Sequence, residues 1–175
     1  MKKILSGLFF ILITGLIGAQ DFAARFATMY KGNYFNTIHI SKRMFALATA
    51  SVDSIKEPEL AAIMKDLTGL KVLRFEGNAS GSVYDNACKQ VTSNAVYEEL
   101  MVIEGDLERV RIYIREEKDL VKELVLFIID GKMFTLINIE GRLNLDQVTS
   151  LASSINIDGI EYMNKIPSPK TKSDK

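Results

Sequence analysis

The chain has 175 residues, with 22 basic and 22 acidic side chains, one histidine and one cysteine. That length suits one hydrophobic core rather than two domains, and 47% hydrophobic with 25% charged residues excludes wholesale disorder and a multi-span membrane protein. The balanced charge lacks the basic excess of a nucleic-acid binder, and a lone Cys88 leaves no intramolecular disulfide to brace the fold.

Residues 1–20 read MKKILSGLFFILITGLIGAQ, two lysines before an apolar run and then small residues. The run from Ile4 to Ile17 is interrupted by Ser6, Gly7, Thr14 and Gly15 and falls short of the roughly 20 apolar residues of a spanning helix. It predicts a secretory signal peptide cleaved near Ala19 or Gln20. Loss of Lys2 and Lys3 leaves 20 basic against 22 acidic residues. The mature chain is then expected in the periplasm or secreted, without a transmembrane anchor, as a single α+β domain over 21–157 followed by a polar tail over 158–175.

From Asp21 to Lys31, Phe22, Phe26, Met29 and Tyr30 recur at three and four residues, predicting a helix stopped by Gly32 and Asn33. Tyr34 to Ile40 alternates and predicts a strand, after which Ser41 can cap a helix over 42–52. Pro58 opens another helix that Gly69 should close, with a second strand from Leu70 to Glu76. Beyond the polar loop at Gly77–Gly81, the spacing of Val83, Tyr84, Ala87, Cys88, Val91 and Ala95 predicts a helix with Cys88 on its buried stripe.

At Tyr97 the period changes to two and holds for over forty residues, with turn signals at Glu104–Asp106, Glu116–Asp119 and Asp130-Gly131. The pattern predicts a four-stranded antiparallel meander over about 97–140, extended by the two earlier strands, with the helices mainly on one face. Asn144 can cap a last helix through Ser154, with Gln147 as its capping-box partner and Leu145, Val148, Leu151 and Ala152 facing inward.

A two-residue turn at Asp130-Gly131 pairs Ile128 with Met133, Leu126 with Thr135 and Leu124 with Ile137, and a four-residue loop at 116–119 sets Arg111 opposite Leu124. One face then collects Val110, Ile112, Ile114, Val121, Val125, Phe127, Ile129, Phe134 and Leu136, with Glu123 and Asn138 as its polar members. The other mixes Arg109, Arg111, Tyr113, Arg115 and Lys122 with Leu124, Leu126, Ile128, Met133, Ile137 and Ile139. Two readings stand for that mixed face: cover by another helix such as the one at 22–30, or a binding surface of Arg109, Arg111, Tyr113, Arg115, Leu124, Leu126 and Ile137 for an envelope protein. A carrier of an apolar small molecule, its pocket lined by Phe127, Phe134 and Leu136, is the alternative function.

Catalytic signatures are missing. No Walker loop, nucleophile elbow, HExxH or paired cysteines occur, and His39 stands alone among candidate metal ligands. The expectation is therefore no metal, no cofactor and no catalytic residue, with an enzyme of unrecognised type left as the third reading.

Three segments, HISKRMFAL, YEELMVIEGDLERVRIYIRE with KELVLFI, and LINIEGRLNLDQVTSLA, together resemble the exported family catalogued as domain of unknown function 4252, found mainly in Bacteroidetes. The resemblance spans nearly the whole mature chain. It implies a Gram-negative envelope setting, hints at envelope sensing, and carries no established site residues.

Overall fold

The computed structural model describes residues 21–30, 35–52, 56 and 58–154. The expected leader over 1–20, the first helix's stop at Gly32 and Asn33, Tyr34, and the tail over 158–175 lie outside these residues, as do the side chains of Leu151 and Ala152.

Six strands and five helices follow one another along the described chain: α1 (Phe22–Met29), β1 (Asn36–Ser41), α2 (Lys42–Thr49), α3 (Pro58–Asp66), β2 (Leu67–Glu76), α4 (Ser80–Thr92), β3 (Glu98–Glu104), β4 (Glu108–Glu117), β5 (Leu120–Asp130), β6 (Met133–Leu143) and α5 (Leu145–Ser154). The strands form one antiparallel sheet in the order β1-β2-β6-β5-β4-β3. The fold is α+β, and the four-strand meander is continued by β2 and β1 on the β6 side.

Local chemistry explains several helix ends. Ser41 accepts from the Met44 N–H and Asp21 from the Ala24 N–H, each satisfying a donor that a helix start leaves unpaired. Asn144 and Gln147 form the reciprocal pair of a capping box: the Gln147 N–H donates to Asn144 Oδ1 at 2.8 Å and the Asn144 N–H to Gln147 Oε1 at 2.9 Å. The helix opened by Pro58 ends at Asp66, three residues before Gly69, because Leu67 is needed as a buried core residue at the start of β2. Gly69 instead gives room to the Glu140 carboxylate, 3.3 Å from where a Cβ would stand.

Both faces of the sheet are buried. On one, Leu70, Val72, Ile112, Leu124, Leu126, Ile137 and Ile139 pack under Phe45 of α2, Ile63 of α3 and Val148 of α5. On the other, Leu73, Tyr113, Val125, Phe127, Phe134 and Leu136 pack under α1 and α4. The helices thus divide three and two, more evenly than expected. The near-continuous apolar runs of β5 and β6 are the signature of strands covered on two sides.

Two register details differ from the sequence-based pairing. Asp130 pairs with Met133, so Ile128 faces Thr135 and Leu126 faces Ile137. The turn is Gly131-Lys132, with positive φ at Gly131 alone. This displacement is even and leaves the faces of β5 and β6 as expected. At the preceding hairpin, the strands run closer to the turn, which is Lys118-Asp119 with φ of 53° and 61°, the two positive values of a type I′ turn. The pairing then slips between Glu116↔Val121 and Arg115↔Glu123, leaving Lys122 as an extra residue on β5. That slip is odd, so Arg111 lies opposite Phe127 instead of Leu124.

Candidate functional site

The slip at Lys122 separates the seven residues expected to share a binding surface. Leu124, Leu126 and Ile137 are fully buried beneath α2, α3 and α5. Arg109, Arg111, Tyr113 and Arg115 stand on the opposite face, in register with Ile129, Phe127, Val125 and Glu123. The mixed face therefore does not exist as one surface. Helix α1, considered as the cover for the Leu124 side, instead covers the Phe127 side, where Phe22 lies 5.4 Å from Phe127 and Phe26 lies 6.0 Å from Phe134 by ring centroids. These helix aromatics occupy the space above Phe127, Phe134 and Leu136, the expected lining of an apolar pocket.

Arg115 belongs to a buried polar seat at the start of α1. Glu123, 2% exposed, accepts hydrogen bonds from the Phe22 N–H at 2.7 Å, Tyr97 Oη at 2.9 Å, Arg115 Nε at 3.1 Å and Asn138 Nδ2 at 3.1 Å. Asn138 Oδ1 in turn accepts from the Ala23 N–H at 3.1 Å. The first N–H groups of α1, which the helix cannot satisfy itself, are therefore received by the sheet, where the positive end of the helix dipole favours a carboxylate. Burial, then the adjacent Glu123, raises the Tyr97 phenol above its usual range.

Beside this seat, Lys71 pairs with Asp21 and lies 3.8 Å from Glu140. Burial opposes the charge on Asp21, but Lys71 and the Ala24 N–H outweigh it and hold the carboxyl below its usual value. Burial, reinforced by Asp21, pushes Glu140 from 4.5 up to about 7. Between those two values the folded chain keeps a proton that the unfolded chain releases, so this group's contribution to stability falls as pH rises across that window. Wild type should therefore lose more melting temperature than Glu140→Gln between pH 5 and pH 7.5. Equal losses in the two proteins would contradict the assignment.

The other β4 residues form a second cluster with side chains that sequence patterning missed. Arg111 donates to Glu99 Oε2 at 3.1 Å and to Glu104 Oε1 at 2.8 Å, both on the edge strand β3. Arg109 pairs with Asp85 at 3.2 Å and sits 4.5 Å from the centre of the Tyr84 ring. Tyr84 and Tyr113 are 2% and 1% exposed, and neither hydroxyl makes a hydrogen bond. Each buried orphan costs about 1–3 kcal/mol. Burial pushes Tyr113 up to about 12, raises Tyr84 further, and pushes the half-buried Cys88 thiol up to about 11, so all three stay protonated at neutral pH. The helical spacing marked Tyr84 and Cys88 as core, but nothing local in the sequence couples them to Arg111.

A third feature lies on the far face. Helix α2 exposes Met44 and Leu47, 56% and 52% accessible, and Ile38 of β1 is exposed as well. Between α2 and α3 runs an open groove of about 410 Å³ lined by Ala46, Thr49, Ala50, Met64 and Leu67, with Lys42 and Lys65 also lining it. Lys42 and Arg43 occupy the first turn of α2, where no acidic residue stands and where cations oppose the helix dipole by about 0.3–1 kcal/mol each. An apolar centre with cations around it, expected on the meander, is found here.

Among the described residues no three His, Cys, Asp or Glu side chains converge as metal ligands, and no helix is long and apolar enough to cross a membrane. His39 is exposed on β1, opposite Lys71. A family model described as a domain of unknown function (DUF4252) matches residues 30–151, which leaves α1 outside the matched span. No curated protein and no solved structure matches the chain.

Proposed function

Because this chain belongs to the DUF4252 family, a domain of unknown function, we infer its role from its own surface and propose that it is an exported, non-catalytic interaction module. The leader-like residues 1–20 support export. The α2 surface supports interaction: the exposed Ala46 and Ala50 line an apolar groove with cationic flanks, and Met44 and Leu47 add exposed apolar area around the same helix, on the side turned away from the groove. Such a surface fits an amphipathic segment whose apolar side enters the groove and whose carboxylates meet Lys42 and Lys65.

The test is native mass spectrometry of the protein isolated gently from its own envelope, alongside the double variant Ala46→Glu and Ala50→Glu, which puts carboxylates into the groove. Wild type should carry a second chain that the variant has lost. The two melting temperatures should agree to within about 2 °C, because exposed substitutions rarely change stability by more than about 0.5 kcal/mol. A variant that keeps its partner, or a wild type that comes off bare, overturns the reading. The groove volume also falls within the range of small-molecule sites, which favours an apolar ligand as the second reading. In the same spectrum it would give an added mass of a few hundred daltons.

A further inference from the structure

The two edges of the sheet are built differently. Edge strand β3 carries Glu98, Glu99 and Glu104, and its pairing with β4 slips between Glu99 and Met101. Charge and a bulge are devices that keep an open edge from pairing with another chain. Edge strand β1, from Asn36 to Ser41, has neither: it holds no Asp, Glu, Lys, Arg or Pro and pairs with β2 through six successive residues without a shift. Asn36 to His39 are all exposed. Every second residue of β1 therefore turns its N–H and C=O outward, with no strand among the described residues to receive them.

Apolar side chains border that edge. Ile38 and Ile40 are in register with Val72 and Leu70, so they stand on the face covered by α2 and α3. On that face α3 reaches β6 while α2 reaches β1 and β2, so the flank of α2 turned away from the groove overlooks the open edge. Met44 and Leu47 are exposed on that flank.

We propose that β1 is a self-association edge, to which a second copy of the chain adds its own β1 antiparallel across a two-fold axis, joining two six-stranded sheets into one. Opposed residues of a continuous sheet share a face, so Ile38 meets Ile38 or Ile40 of the second copy. The axis runs normal to the sheet and sets both α2 helices on one side, where their Met44 flanks extend the contact. Six residues of strand span only about 20 Å, too little for the roughly 1,200 Å² of a stable interface, so the α2 flanks are needed. A two-fold pair removes each copy's Ile38 and Met44 from water together. It also keeps Lys42 and Arg43, which follow β1 directly, at opposite ends of the pair and clear of their counterparts. The α2–α3 groove lies on the other flank of α2 and stays open in this arrangement, so the inference is independent of the function proposed for it.

Sedimentation equilibrium over a wide concentration range should show the protein in a reversible monomer–dimer equilibrium. Ile38→Lys puts a charge on the edge and should raise the dissociation constant at least about tenfold, the equivalent of about 1.4 kcal/mol. Val102→Lys on β3 should leave it unchanged, and so should Ala46→Glu with Ala50→Glu in the groove. Ile38 and Val102 are 49% and 38% exposed, and an unchanged melting temperature of the dilute monomer shows that each variant is folded. Hydrogen exchange reads the geometry, since the outward amides of β1 should be protected in the dimer and lose that protection in Ile38→Lys. A protein that stays monomeric at its highest concentration, a dimer that Ile38→Lys leaves intact, or outward β1 amides that exchange freely in the dimer would each overturn the proposal. So would a complex of unequal masses lost in Ile38→Lys, which would give the edge to a strand of another protein.

Discussion

Replacing Glu123 with alanine should lower the unfolding free energy by about 3–5 kcal/mol, the range for removing one member of a buried charged pair. The carboxylate is almost fully enclosed, and four donors from α1, β4, β6 and the segment before β3 converge on it. Its loss strands the Arg115 guanidinium and the Phe22 N–H together, in a place that water does not fill for free. Glu123→Gln should cost less, because the amide oxygen can still accept from Phe22 while its NH₂ faces the remaining donors. Urea unfolding at pH 7 gives both values. Trypsin offers a second readout, since release of α1 exposes the bond after Arg25. A loss below about 1 kcal/mol for alanine would mean that α1 is held by its aromatic face alone.

Phe127→Ala should be comparably damaging, at about 3–5 kcal/mol. The ring is fully buried and meets Phe22 at 5.4 Å, Tyr113 at 5.7 Å and Phe134 at 6.4 Å between centroids. Removing it opens a cavity where α1, β4 and β6 meet, and those elements are too constrained by their hydrogen bonds to collapse inward. For a domain of this size, such a loss lowers the melting temperature by roughly 10 °C or more. A melting curve within 2 °C of wild type would show that the aromatic cluster repacks around the gap.

The alternating pattern after Tyr97 was enough to locate β3 to β6, and Asn144 with Gln147 was enough to locate the start of α5. Sheet faces are a more delicate property, because a single extra residue reverses them. The even displacement at Gly131 changed which residues pair without changing which face they occupy. The odd one at Lys122 moved Arg109, Arg111 and Tyr113 away from Leu124 and Leu126. Lysine in a strand gives no local sign that it is a bulge. Large apolar residues on both faces of β5 and β6 did carry a signal, and its physical meaning was a second layer of helices rather than an open surface. Glu123 and Asn138 stood out as polar residues among core neighbours. Their partners, the N–H groups of Phe22 and Ala23, come from a helix 101 and 115 residues away. Pairing at that range leaves no periodicity to read, and the same holds for the meeting of Tyr84 with Arg111.

The placement of β2 between β1 and β6 also imposes an order of events. Chain synthesis delivers β1 and β2 early, but the second edge of β2 finds its partner only when β6, the last strand, has emerged. Leu73 waits for Leu136, and Phe75 for Phe134. Until then the nascent chain carries a strongly apolar strand with one edge open, while the meander needs only neighbouring segments to form. Closing the long loop between β2 and β6 is the entropically costly step. The β2-β6 seam, rather than any hairpin, is therefore where folding commits and where a stalled or truncated chain would be most prone to aggregate.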